Sequence, residues 1–143
     1  MDYKTAIGRS KERNENSDCA VIALAIATNC SYDLAHRKLA STGRKNGKGT
    51  INNHDKKCVP LNKAIVKRGF SMTRVSCKAK TLMSLSRSIK TKNTLIVYSG
   101  GKRGPNHVSV YKDGVCEDWA AYSKKPIVSV YVVKRKKKGA LKR

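Results

Sequence analysis

Apolar positions along this chain follow two regimes, short helical runs in the first half and strand-length alternation in the second. The run Cys19-Ala20-Val21-Ile22-Ala23-Leu24-Ala25-Ile26-Ala27 is too hydrophobic to lie on a surface and predicts a buried helix from Cys19 to about Thr28. Ser17 or Asp18 supplies an N-cap side chain, and Asn29, which tolerates the left-handed conformation, ends the helix. Ser31 caps a second helix from Tyr32 to about Ala40. Its period turns Tyr32, Ala35, Leu39 and Ala40 inward and His36, Arg37 and Lys38 mainly outward, which makes His36 a solvated histidine. A third helix begins near Pro60, buries Leu61, Ala64 and Ile65, and stops at Gly69. Phe70 to Val75 reads as a strand, and Thr81 to Ile89 as a helix with Leu82, Leu85 and Ile89 on one side.

Beyond that point the pattern is of strands: Thr94 to Tyr98, His107 to Lys112, Val115 to Trp119 and Ile127 to Val133. Helices first and an antiparallel sheet second is the α+β order, with N-terminal helices packed on a C-terminal sheet. Two stretches carry no such pattern. Residues 1–15 show no sustained apolar period and read as a polar arm. Residues 41–57, rich in Gly, Asn and Lys, read as a mobile basic loop; they lack the order of a phosphate-binding loop, and no strand precedes them.

Length and charge narrow the picture. A chain of 143 residues fits one domain, here 1–133, with a core large enough to need no crosslinks. Lys and Arg number 32 against 9 Asp and Glu, a formal charge of +23, which points to a polyanionic partner, nucleic acid first and an anionic membrane surface or acidic protein second. The strongest contribution is Lys134-Arg135-Lys136-Lys137-Lys138, opening a basic tail over 134–143 that is expected to be disordered. No apolar run is long enough to cross a bilayer and no signal peptide opens the chain, so a reduced, cytoplasmic setting is expected.

The five cysteines, Cys19, Cys30, Cys58, Cys77 and Cys116, are an odd number without close C-x-x-C pairs, and read as free thiols. A zinc set of Cys19, Cys30, His54 and Cys58 can be drawn, but its first pair is too widely spaced for a knuckle. No metal or cofactor is expected.

One thiol has a special position. At the start of its helix, Cys19 lies at the positive end of the macrodipole, where backbone N–H groups favour negative charge on or beside the sulfur. Asp113-Gly114 between two apolar runs predicts a two-residue hairpin turn. If Lys112 faces Val115, then Ser109 faces Asp118 and His107 faces Ala120, so His107 and Asp118 become diagonal neighbours on one face of the ribbon. A carboxylate bonded to one imidazole nitrogen orients the ring and leaves the other nitrogen for a thiol. Trp119 falls on the opposite face and reads as core.

A cysteine opening an apolar helix after Asn16-Ser17-Asp18, a second short helix, then Asn106-His107-Val108-Ser109-Val110, Asp113-Gly114 and Glu117-Asp118-Trp119 together resemble the papain-like cysteine peptidase fold. The closest likeness is to its small bacterial and phage members, such as bacteriocin-leader peptidases and phage proteins of the Asp-Cys-Ala-Val type. The resemblance spans about residues 14–133 and implies a peptidase or isopeptidase acting on a protein or peptide, in the host cytoplasm if phage-encoded. It implies Cys19 as nucleophile, His107 as base and Asp118 as orienter. The family's oxyanion Gln has no counterpart, since the chain contains no Gln, and Asn14, or less well Asn16, stands in its place. The competing reading is an inactive scaffold that binds DNA or RNA through its basic tail and its Gly-Lys loop.

Overall fold

The computed structural model of the chain describes residues 2–12, 18–42, 44, 59–101 and 104–136. Within them the order is α1 (Tyr3–Glu12), α2 (Cys19–Ala27), α3 (Tyr32–Ser41), α4 (Val59–Lys67), β1 (Phe70–Val75), α5 (Leu82–Ser88), β2 (Thr94–Gly101), β3 (Gly104–Tyr111) and β4 (Ile127–Arg135). The four strands form one antiparallel sheet in the order β1-β4-β2-β3, so the architecture is α+β with helices leading and strands following.

Helix α2 is the hub. Seven of its nine residues are buried, which is why its sequence has no polar face to set a helical period. It packs on α1, α3, α4, β2 and β3. Its end is held three ways: Asn29 turns the chain at φ 52°, Thr28 Oγ1 donates to the Leu24 carbonyl, and Arg68 reaches from beyond α4 to the Thr28 carbonyl at 3.3 Å. A guanidinium at the negative end of the helix is the favourable arrangement. Ser31 and Thr81 cap α3 and α5 by accepting from Leu34 and Ser84 backbone N–H groups.

The sheet is covered on both sides. Ile96, Tyr98, Val108, Val110 and Val133 face the helices α1–α4, whereas Leu95, Val97, Tyr111 and Val130 face α5 and the segment holding Cys116, Ala120 and Ala121. This double burial explains why Leu95-Ile96-Val97-Tyr98 is a continuous apolar run and not an alternating one.

Several expectations change. The N-terminal arm is a helix, α1, whose inward positions Tyr3, Ala6, Ile7 and Ser10 follow helical spacing with a serine in place of the last apolar residue. Strand β4 continues through Lys134 and Arg135, opposite Ser71 and Phe70, and the Lys136 N–H bonds the Gly69 carbonyl, so the expected tail does not open at Lys134. The cause is pairing: β1 offers backbone partners as far as Phe70, and exposed strand positions accept charged side chains.

The strand expected from Val115 to Trp119 shrinks to one bridge, Lys112 with Val115, around a turn with Asp113 at φ 53° and Gly114 at φ 81°. Ala40 is exposed at the end of α3. His36 is half-buried, with Arg44 Nη1 at 3.3 Å from Nε2 and the Tyr32 ring beside it. Arg44, expected in the basic loop, is itself buried. No single helix among the described residues is long and apolar enough to cross a membrane.

Candidate active site

The N-terminus of α2 and the start of the sheet's edge strand β3 meet at a cavity of about 500 Å³, lined by Cys19, His107 and Asp118 among others. Cys19 enters as the first residue of α2, so its own N–H has no partner within the helix. His107 enters on β3, next to a break in register between Ser99 and Gly100 of β2. Asp118 enters on the turn that replaces the expected strand.

That turn has a local cause. Asp118 Oδ1 accepts the backbone N–H of Ala120 at 3.0 Å, the side-chain bond two residues on that lets aspartate compete with a strand ladder. Its other oxygen, Oδ2, lies 2.5 Å from His107 Nε2 and accepts the Ser109 hydroxyl at 2.9 Å. The expected grouping of His107, Ser109 and Asp118 is therefore present, reached through a turn and not across a ribbon. An ionised carboxylate can only accept, so Nε2 carries the proton and Nδ1 is the ring nitrogen left for the thiol.

The electrostatics follow from this packing. Burial by itself pushes the His107 ring down, but hydrogen bonds to Asp118 and Cys19, and the charges of both, raise it from 6.5 to about 9. Burial acts to raise Asp118, and the bond to His107, its charge, and the donors Ala120 and Ser109 bring the carboxyl below its ordinary value. Both side chains are more than nine-tenths buried, so bulk water screens the pair little. The other described thiols have no such surroundings. Cys30 is buried against Thr28, and burial pushes Cys116 up to about 12. Cys77 is half-buried and points at the Ala79 carbonyl.

Either Ser17, which lies outside the described residues, or Asp18 was expected to cap α2 with its side chain. Asp18 occupies the N-cap position without doing so. Its carboxylate instead accepts hydroxyls from Ser10 of α1 and Tyr32 of α3, each at 2.6 Å, which ties three helices together one residue before the thiol. Sequence reasoning treated Asp18 only as a cap and missed this role. The available signal was an acid flanking an apolar run, with a serine and a tyrosine on neighbouring helices to satisfy it.

Trp119, expected in the core, is 70 % exposed at the rim of the cavity, its ring 5.1 Å from that of His107. The turn at Asp118 swings it out. The oxyanion candidates Asn14 and Asn16 lie outside the described residues, as do His54 and Cys58 of the possible zinc set. Among the described residues no cluster of His, Cys, Asp and Glu is placed to hold a metal ion. Lys134, Arg135 and Lys136 stand apart from the cavity, at the end of β4.

Comparison with protein-family models, with curated proteins and with solved structures returns no match for this chain.

Proposed function

We propose that this protein is a papain-like cysteine hydrolase of the small phage and bacterial type, a peptidase or isopeptidase that works through an acyl-enzyme on Cys19. The single observation that carries the reading is the convergence of a helix-start thiol and an aspartate-held imidazole in one cavity. Each part has a defined role. The Cys19 thiolate attacks the scissile carbonyl, with the backbone N–H of Cys19 bonding the developing oxyanion. As the tetrahedral intermediate collapses, the C–N bond breaks, and the amine departs with a proton from His107 Nδ1. A water molecule then gives its proton to His107 and attacks the thioester, releasing the acid and restoring the thiolate. Asp118 holds the ring in the required tautomer throughout.

The test needs no known substrate. Iodoacetamide at neutral pH alkylates Cys19 at least about tenfold faster than Cys30, Cys77 or Cys116, as read by mass spectrometry of tryptic peptides. Equal rates at Cys19 and Cys77 would remove the activated nucleophile, and with it the hydrolase.

A second, compatible reading is supported by the exposed cations at the end of β4, Lys134 and Arg135, which continue into the basic sequence beyond them. There the protein binds a polyanion, nucleic acid first. Because Lys134 and Arg135 are strand residues, the informative truncation begins at Lys137. Deleting 137–143 removes Lys137, Lys138, Lys142 and Arg143. The fold persists, and the slope of log affinity against log salt for duplex DNA falls by about 3. An unchanged slope would place the polyanion surface elsewhere.

A further inference from the structure

The chain carries 32 lysines and arginines against 9 acids, yet the cavity at Cys19 reverses that balance. Among the described residues its lining holds five carboxylates, Asp2, Asp18, Asp113, Glu117 and Asp118, against two basic groups, Lys112 and the His107 ring raised to about 9. More than half of the acids in the chain therefore surround one cleft. Asp18 and Asp118 are held by internal donors, whereas Asp2, Asp113 and Glu117 are exposed at the rim.

A second, independent feature points the same way. The exposed Trp119 ring stands beside His107 and already has an ammonium group over it, Lys125 Nζ at 5.9 Å from the ring centre. A solvent-open aromatic ring that already accepts one ammonium group is a setting that holds cationic side chains. Deeper in, Ile7, Ile22, Ile26 and Val110 form an apolar wall. A phosphate backbone would meet repulsion here, so polyanion binding and thiol chemistry belong to different surfaces.

We infer that the cleft takes a basic polypeptide segment, with a lysine or arginine side chain at the rim made by Asp113, Glu117 and Trp119 and an apolar side chain against the isoleucine wall. The inference rests on the hydrolase reading of Cys19 and adds the class of substrate.

Two peptidyl chloromethyl ketones that differ only in carrying lysine or glutamate beside an apolar residue test it. In each, the Cys19 thiolate forms a C–S bond as the C–Cl bond breaks and chloride leaves. Cys19 reacts at least about tenfold faster with the lysine reagent, and the ratio contracts in high salt as screening grows. At Cys77, which shares its surroundings with Arg74 and Lys80, the preference is for the glutamate reagent, so reagent chemistry is controlled within the same molecule. Asp113→Lys with Glu117→Lys, both at exposed positions, brings the Cys19 ratio to one or below. Neutral iodoacetamide separates the two levels of the claim. Fast alkylation of Cys19 by iodoacetamide with no preference for the lysine reagent overturns the basic-substrate inference alone. Slow alkylation by iodoacetamide overturns the hydrolase reading itself.

Discussion

Asp118→Asn lowers the titration of the His107 ring from about 9 toward its ordinary value of 6.5, followed by NMR of the ring protons. The direction follows from the causes: burial disfavours the imidazolium, and the Asp118 bond and charge outweigh it, so removing the charge leaves burial less opposed. The amide keeps an acceptor for Nε2, and cysteine hydrolases with Asn as orienter work, so alkylation of Cys19 at neutral pH slows by only about tenfold. Asp118→Ala slows it further, because Nε2 and the Ser109 hydroxyl both lose their acceptor. His107→Ala removes the base and costs about a hundredfold or more.

The same pair links stability to pH. His107, raised in the folded state, contributes fully below 6.5 and loses that contribution as pH rises through about 9. Asp118, lowered in the folded state, contributes above 3.8 and loses its contribution as pH falls through its depressed value. The stability gap between wild type and His107→Ala is therefore widest from about pH 4 to 6.5 and closes toward alkaline pH, as urea unfolding measures. If Asp118→Ala leaves both the Cys19 rate and the His107 titration unchanged, Asp118 is not the orienter and the site reduces to Cys19 and His107.

Asp18→Ala costs on the order of 3 kcal/mol in unfolding free energy, since two buried hydroxyls lose a charged acceptor at once. Ser10 is 6 % exposed and Tyr32 only 1 %, so water cannot easily replace the lost partner. The loss falls mainly on α1, whose other polar ties among the described residues include Tyr3 to the Trp119 backbone and Arg9 with Asp33 of α3, at 3.0 Å and nearly half exposed. Such an exposed pair contributes little, because water screens it. Protease cleavage within residues 3–12 accelerates in Asp18→Ala before global unfolding, whereas Asp18→Asn, which keeps an acceptor oxygen, loses about 1 kcal/mol. Because α1 also brings Asp2, Tyr3 and Ile7 to the cavity, its release reshapes one wall of the site while leaving Cys19 and His107 on their own elements. A change within about 0.5 kcal/mol for Asp18→Ala would mean that the three-helix junction is held by apolar packing alone.

How much of this was legible beforehand depended on the range of the force involved. The buried helix α2, its end at Asn29, the Ser31 cap, strand β1 to the residue and the Asp113-Gly114 turn follow from local signals: an unbroken apolar run, a capping hydroxyl, strand alternation and residues that accept positive φ. The grouping of His107 with Ser109 and Asp118 was legible only as proximity after a two-residue turn: the contacts form, but through the turn at Asp118 and not through the expected ladder. Other features were decided by partners distant in sequence. Helix α1 is polar enough to pass for an arm, and it folds because Asp18, at the start of α2, and Asp33, on α3, accept from Ser10 and Arg9. Lys134 and Arg135 are strand because β1, some sixty residues earlier, supplies backbone partners. Trp119 lies outside the core because Asp118 prefers its own backbone to a ladder and turns the chain. The meeting of Cys19 with His107, 88 positions apart, has no local signal at all; it is set by the packing of α2 against β2 and β3, where burial of apolar area is non-directional and only the assembled shapes choose which ends coincide.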